Sequence, residues 1–223
     1  MVRMIAIDGP VASGKTSVGL ALAKRLGFLF LDTGVMYRAV AWAVLKNNVN
    51  IEDESAVSRL ASELKIEIQK PSREDGRSND IFVNGEDVTW EIRGEKVNNS
   101  VSQVSAYREV RKVLTEQQRY FGMQGDVVMV GRDIGTVVLP DADLKIFLKA
   151  SAEERAKRRF QEEKARGNQT GFEQILKNMK MRDELDSSRE VAPLTAAPDA
   201  VIIDTDGRTK EEVIEEIFQL THK

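Results

Sequence analysis

The sequence predicts an α/β fold in which a doubly wound parallel sheet of five strands carries helices on both faces. Five short apolar runs alternate along the chain with helical patterns, which is the order that parallel winding produces. The first run, Met4–Ile7, ends at a glycine-rich loop and is followed by a helical pattern over Lys15–Leu26. A chain of 223 residues is long enough to bury its own core, so we expect a single domain over 1–223.

The other elements are predicted from apolar runs, apolar spacing and the polar residues that bound each segment. Four further strands are expected over Phe28–Leu31, Val127–Val130, Leu144–Leu148 and Ala200–Ile203. Helices are expected over Met36–Lys46, Asp53–Leu64, Val97–Phe121 (as one helix or two), Ala152–Arg166 and Phe172–Leu185. A final helix is expected after Thr209, because Thr209 and Glu212 have the spacing of a capping box.

One stretch departs from this alternation of strand and helix. Lys65–Gln69 alternates apolar and polar residues, and Ile81–Val83 leads into Asn84-Gly85, a dipeptide typical of hairpin turns. Asp87–Trp90 is a candidate for the returning strand. We therefore predict a small antiparallel insertion at about 65–90.

The amino-acid composition argues against several classes of functional site. The chain has no Cys, and its one His is His222, next to the C-terminus. Disulfides, thiolate metal sites and Cys nucleophiles are excluded, and Ser-His-Asp catalysis is not expected. The net charge of −3 argues against general nucleic-acid binding. No apolar window reaches the roughly 18 residues of a membrane span, and the apolar start is too short for a signal peptide, so a cytoplasmic location is expected.

The glycine-rich loop carries the most specific motif of the chain. Gly9–Thr16 fits G-x-x-x-x-G-K-[ST] at every fixed position and lies between a predicted strand and a predicted helix. Glycines let backbone N–H groups turn inward around phosphate oxygens, and the helix adds its positive end. Lys15 would reach the β- and γ-phosphates, and Thr16 offers a hydroxyl to Mg²⁺. The predicted nucleoside triphosphate site comprises Gly9, Pro10, Val11, Ala12, Ser13, Gly14, Lys15, Thr16 and Ser17.

A nucleoside triphosphate site can belong to a kinase or to a slow nucleotide switch. The two differ in the additional sites that they require. A guanine-nucleotide switch usually carries N-K-x-D, which does not occur in this sequence. A small-molecule kinase needs a second anion site facing the γ-phosphate. Candidate arginines lie in four stretches: Leu31–Arg38, Gly131–Thr136, Glu154–Arg159 and Arg182–Arg189. Taken singly, each stretch is also compatible with an ordinary charged surface.

Taken together, these stretches closely resemble the bacterial-type cytidylate kinases. The matching segments are Gly9–Lys15, Leu31–Arg38, Ser102–Val104, Gly131–Thr136, Lys145–Arg159 and Arg182–Leu194, in order over nearly the whole chain. The resemblance implies phosphorylation of CMP or dCMP by ATP, with Mg²⁺ bound to the ATP. It also implies a monophosphate-binding region over 35–110 that includes the small antiparallel sheet, and a lid over 152–171.

The resemblance further implies which residues hold the acceptor. The phosphate, or the phosphoryl group in flight, would be held by Thr33, Arg38, Arg132 and Arg189. The cytosine edge would be read by Ser102, Arg111 and Asp133, and the ribose would be held by Arg182 and Asp186. Tyr37 would pack either beside the nucleotide or in the core.

For the donor, Arg155 and Arg159 would belong to the lid that folds over ATP. The groups implied to act on the moving phosphoryl are Lys15, Arg132, Arg159 and Arg189. Either Thr16 or Ser17 would support Mg²⁺, since Thr16-Ser17 stands where some members have Gly-Thr. Of the two carboxylates that end apolar strands, Asp32 is favoured over Asp133 for a water-mediated metal contact.

The chemistry is consistent with these residue types. The attacking group of a nucleoside monophosphate is already an anionic oxygen, so no His base is needed, and catalysis becomes positioning and charge neutralisation. Two alternatives stay open: a kinase of this fold for another nucleoside monophosphate or small acceptor, and a non-catalytic nucleotide switch. We expect ATP and CMP or dCMP as partners, no nucleic-acid or membrane partner, and a monomer.

Overall fold

The computed structural model describes residues 2–165, 167, 170–189 and 191–222. In chain order the elements are β1 (Met4–Asp8), α1 (Lys15–Leu26), β2 (Leu29–Asp32), α2 (Gly34–Lys46), α3 (Glu54–Glu63), β3 (Ile66–Gln69), β4 (Asp80–Val83), β5 (Glu86–Asp87), α4 (Glu95–Val104), α5 (Arg108–Met123), β6 (Val127–Gly131), β7 (Leu144–Lys149), α6 (Ala152–Ala165), α7 (Phe172–Ser187), β8 (Val201–Asp204) and α8 (Lys210–Leu220). A 3-10 turn at Glu91–Arg93 precedes α4, and a π-helical turn at Ile134–Val138 follows β6.

The predicted fold class is confirmed. Five strands form one sheet in the order β2-β6-β1-β7-β8, and three strands form a smaller sheet in the order β3-β4-β5. The chain divides into two compact units, one of Met1–Phe28 with Asp126–Lys223 and one of Leu29–Gly125.

In the first unit, β1 is an inner strand, and its apolar residues are buried. Ile5, Ala6 and Ile7 have no exposed surface. β1 runs parallel to β6, with Asp8 opposite Gly131, and parallel to β7, while β8 pairs with β7. The carboxyl ends of β1 and β6 are therefore side by side, and the loops that follow them share one edge of the sheet, where ligands bind in open α/β folds.

The ends of α1 and α8 are set by local chemistry that the sequence predicts. α1 spans the predicted residues, with left-handed Gly14 (φ 94°) before it and left-handed Gly27 (φ 75°) after it. α8 begins with the predicted capping box, in which Thr209 and Glu212 bond reciprocally. The Gly27 N–H, which donates to the carbonyl oxygen of Ala23, and the capping box of α8 satisfy backbone groups that a helix end leaves without partners.

In the second unit, the predicted antiparallel insertion is confirmed. Asn84 and Gly85 both have positive φ, 50° and 81°, as a two-residue hairpin turn requires. The returning strand is shorter than predicted, because it covers Glu86–Asp87 and does not reach Trp90. The carboxylate of Asp87 accepts the N–H of Thr89 at 3.0 Å, and this local turn ends the strand.

The long helical pattern over Val97–Phe121 is two helices, α4 and α5, which begin at Glu95 and Arg108. In the core of the second unit, α4 buries Val101 and Val104, and α5 buries Val110 and Leu114. Across the described part of the chain, no helix has the length and apolar character needed to cross a bilayer.

Candidate functional site

The loop between β1 and α1 has the backbone conformation of an anion-binding nest. Gly9 (φ 150°), Ala12 (φ 57°) and Gly14 (φ 94°) all have positive φ. At Gly9 a side chain is also excluded by space, since a Cβ there would lie 2.3 Å from the carbonyl oxygen of Leu148. The glycines that the sequence motif specifies are therefore required by the fold itself.

Lys15 lies at the start of α1 and is buried under the loop. Its Nζ donates to the carbonyl oxygen of Pro10 at 2.6 Å and to Ser13 Oγ at 3.4 Å. Thr16 and Ser17 are exposed in the same first turn, and Ser17 Oγ donates to the carbonyl oxygen of Gly14 at 3.0 Å. A cation held by loop oxygens beside a helix N-terminus is an arrangement suited to a polyphosphate.

Asp8 lies directly before the glycine loop and is not among the site residues that the sequence predicts. It ends β1 and is 3 % exposed. Oδ1 accepts the N–H of Ile134 and Oδ2 accepts the N–H of Gly135, both at 2.8 Å. Burial raises the pKa of Asp8 from its ordinary value of 3.8 to about 6, against the opposing effect of these two hydrogen bonds; neighbouring Asp133 raises the pKa further and Lys15 lowers it. The available signal is the position of an acidic residue between a buried strand and the glycine loop.

The raised pKa of Asp8 predicts a pH dependence of stability with a definite sign. A carboxyl group that binds its proton more tightly when folded contributes stability that is full below 3.8 and is lost as the pH rises through about 6. Relative to an Asp8→Asn variant, we expect the wild type to lose up to about 3 kcal/mol of unfolding free energy between acidic and neutral pH. Urea unfolding of both proteins over this range measures the difference, and parallel pH curves would contradict the assignment.

A cluster of arginines surrounds Asp186 near the end of α7. Arg132 Nε donates to Asp186 Oδ2 at 2.6 Å, and Arg189 pairs with the other carboxylate oxygen. Burial raises the pKa of Asp186, but the charges of Arg132, Arg189 and Arg182 outweigh it and hold the pKa below its usual range. The structure thus brings Arg132 together with three predicted site residues of a distant stretch, Arg182, Asp186 and Arg189.

Arg155 and Arg159, which the family resemblance places in a lid, differ in their surroundings. Arg155 is 3 % exposed, pairs with Asp183 and donates to the carbonyl oxygen of Val11 at 3.0 Å, so it contacts the glycine loop directly. Arg159 is half-exposed and pairs with Glu163 at 2.6 Å on its own helix. Part of the predicted lid over 152–171, namely 166, 168 and 169, lies outside the described residues.

In the second unit, Tyr37 and Arg111 lie together. Arg111 is 4 % exposed and its guanidinium lies 5.5 Å from the centre of the Tyr37 ring, which is itself buried. Arg111 also donates to the carbonyl oxygen of Ser105 at 3.1 Å. A buried charge on an aromatic face is stabilised there and is held in one orientation.

The other predicted residues of this unit lie on α2, on α4 and at the end of β2. Arg38 donates to Asn98 Oδ1 at 2.5 Å and to the carbonyl oxygen of Ile92. Thr33 is buried at the start of α2, and Asp32 Oδ1 accepts the N–H of Gly34 at 3.0 Å. Ser102 is exposed on α4. The two units thus hold the predicted site residues in separate groups.

The family model that matches this chain and two of its curated relatives indicate the same family. The family model described as cytidylate kinase matches residues 5–223. The chain is 49 % identical to a cytidylate kinase of Geobacillus sp. over 98 % of this chain and 96 % of the relative. It is 48 % identical to a cytidylate kinase of Carboxydothermus hydrogenoformans over 97 % and 96 % of the two chains. Among solved structures, an uncharacterized protein from Eubacterium ventriosum has a similar fold, with a TM-score of 0.52 at 11 % identity over 99 % and 98 % of the two chains.

Proposed function

The chain belongs to the cytidylate kinase family, and we propose that the residues described above carry out the family's ATP-dependent phosphorylation of CMP. The protein is a phosphotransferase whose substrates are ATP and CMP. The observation that supports the residue assignment best is the cluster in which Arg132 and Arg189 share Asp186, within the same compact unit as the glycine loop.

The donor binds at the glycine loop in this proposal. Backbone N–H groups of Gly9–Ser17 surround the phosphates of ATP, and Lys15 exchanges its loop oxygens for β- and γ-phosphate oxygens. Arg155 fixes the loop through Val11, and Arg159 reaches ATP when the segment 152–171 closes as a lid. Closure would shield ATP from water until the acceptor is bound.

Mg²⁺ fits the donor set that the chain offers. The first turn of α1 carries two exposed hydroxyls, Thr16 and Ser17, and Asp32 supplies a carboxylate for a contact through water. These are the oxygen ligands that Mg²⁺ prefers, and within the described residues no group of three acidic or imidazole side chains is arranged to hold a metal alone. Mg²⁺ bound with ATP would neutralise charge on the phosphate oxygens.

The acceptor is held by charge and by shape in the same proposal. Thr33, Arg38, Arg132 and Arg189 bind the CMP phosphate, and Arg182 with Asp186 holds the ribose. Asp133 accepts a hydrogen bond from the exocyclic amine of cytosine, while Arg111, on the face of Tyr37, and Ser102 bind the other polar atoms of the ring. Lys15, Arg132, Arg159 and Arg189 then neutralise the phosphoryl group as it moves in line from ATP to CMP. The enzyme is proposed to act as a monomer with a single functional domain.

A direct test is release of ADP with a panel of acceptors. CMP and dCMP should support turnover well above UMP, AMP and a reaction with no acceptor. Equal turnover with AMP or UMP would favour a kinase of different specificity. ADP release that is slow and independent of any acceptor would favour a nucleotide switch.

Asp133→Asn should narrow the preference for CMP over UMP. Uracil has a carbonyl where cytosine has its amine, so a carboxylate repels it, whereas an amide can present a donor to it. We expect the ratio of kcat/KM for the two acceptors to fall by roughly 10- to 100-fold, the value of one charge-assisted hydrogen bond. Steady-state kinetics with both acceptors measures this ratio. A folded variant with the wild-type ratio would remove Asp133 from base reading.

A further inference from the structure

Asp8 joins two loops that the proposed function gives to different substrates. It directly precedes Gly9, the first residue of the glycine loop, and its two carboxylate oxygens accept the N–H groups of Ile134 and Gly135. Those N–H groups open the π-helical turn that directly follows Asp133. One side chain therefore connects the donor-phosphate loop to the residue proposed to read cytosine.

The turn depends on that carboxylate for its first hydrogen bonds. The first N–H groups of a helical turn have no partner within the turn, and burying such groups without a partner is costly. Asp133 has φ −143° and ψ 26°, outside regular helix and strand, and its carbonyl accepts the N–H groups of Val137 and Val138. The backbone of Asp133 is thus fixed by the turn, and the turn is fixed by Asp8.

The Asp8 carboxylate is buried and packs closely against the turn. A Cβ at Gly135 would lie 3.4 Å from Asp8 Oδ2 and 3.3 Å from Cγ and Cδ of Lys145. Lys145 is itself buried, and its Nζ is held by Asp199 at 2.7 Å. Both oxygens of Asp8 are needed as acceptors, so an Asn of the same shape would turn an NH₂ group toward one of the two N–H groups.

We propose that Asp8 is a positioning residue for acceptor selection: through the π-helical turn it sets the position from which Asp133 reads the base. The proposal rests on the role of Asp133 in the proposed function. It assigns to Asp8 an effect on the choice between CMP and UMP, although Asp8 itself touches neither base.

The test compares three variants in the same assay. Asp8→Asn should lower the CMP/UMP ratio of kcat/KM by roughly 10-fold, since one buried hydrogen bond that orients Asp133 is replaced by a repulsive contact. Asp143→Asn is the control, because the Asp143 carboxylate also accepts two consecutive N–H groups, those of Arg3 and Met4, both at 2.8 Å, at the opposite end of β1. It accepts both with Oδ2 alone, so an Asn there can keep an oxygen facing both N–H groups. The control should keep the wild-type ratio. Asp133→Asn serves as the reference for complete loss of base reading.

The outcomes separate the two proposals. If Asp133→Asn leaves the ratio unchanged, the proposed function of that residue fails. If Asp133→Asn lowers the ratio and Asp8→Asn slows CMP and UMP by the same factor, Asp8 is merely structural and the present inference is overturned. Gly135→Ala provides a second probe that retains the carboxylate: its Cβ would lie in contact with Asp8 Oδ2 at 3.4 Å and tightly against Cγ and Cδ of Lys145 at 3.3 Å, so the packing between the turn and Lys145 must shift. It decides the question if Asp8→Asn does not fold. A wild-type ratio in Gly135→Ala would then overturn the inference.

Discussion

Replacing Lys15 by Met is expected to lower turnover by about 10³-fold while CMP binding stays nearly unchanged. Lys15 is buried beneath the glycine loop, and its Nζ already lies among loop oxygens, 2.6 Å from the carbonyl oxygen of Pro10. Met fills much of the same volume but carries no charge, so the variant retains the packing and loses the cation that would neutralise the moving phosphoryl. Steady-state ADP release gives kcat, and calorimetry without ATP gives the dissociation constant for CMP.

Lys24→Met is the matched control for this variant. Lys24 is exposed in the last turn of the same helix, α1, so its replacement should leave kcat within about twofold of the wild type, as surface substitutions usually do. A Lys15→Met enzyme that keeps more than about a tenth of wild-type turnover would contradict the assignment of Lys15 to the ATP phosphates.

Much of the fold follows from local sequence signals. The bounds of α1 can be predicted because glycine is the residue that most readily adopts the left-handed conformations found at Gly14 and Gly27. The hairpin at Asn84-Gly85 follows from the same preference. The π-helical turn at Ile134–Val138 has no such signal, since its first N–H group donates to the carboxylate of Asp8, 126 residues away. The early end of β5 depends on one hydrogen bond from the backbone N–H of Thr89 to the Asp87 carboxylate, which alternation of apolar residues does not predict.

The candidate site, like the fold, is predicted from the sequence only in part. The glycine loop and Lys15 form a contiguous motif, so their place between β1 and α1 can be predicted with their chemistry. The arginine cluster cannot, because Arg132 and Asp186 are 54 residues apart and meet only through the fold. Resemblance to a family supplies the residue names but not the ion pairs. It assigns Asp186 to the ribose, whereas the structure adds that Asp186 also holds two of the arginines proposed to act on the phosphoryl group.

That cluster leads to the second large expected effect: Arg132→Lys should lower kcat and kcat/KM together by about 10³-fold, the usual worth of an arginine that stabilises a phosphoryl transition state. The Nε of Arg132 is engaged by Asp186 at 2.6 Å. A guanidinium keeps four further N–H donors on its two terminal nitrogens, so it can remain anchored to Asp186 and still bind phosphate oxygens. Lysine has a single head group and cannot do both in the same geometry, so preserving the charge does not preserve the function.

Arg25→Lys is the control that shows whether a loss of kcat is specific to arginines of the candidate site. Arg25 pairs with Glu215 at 2.6 Å on the surface of the same compact unit. An exposed ion pair contributes little to stability, so this variant should match the wild type in kcat.

The kinetic pattern of Arg132→Lys then identifies the step of the reaction in which Arg132 acts. If KM for CMP rises while kcat is unchanged, Arg132 binds the CMP phosphate equally well in the ground state and in the transition state, and the assignment to the phosphoryl group in flight is wrong. Equal loss in kcat and kcat/KM means that the contact forms in the transition state, as expected for a residue whose position Asp186 fixes before CMP arrives.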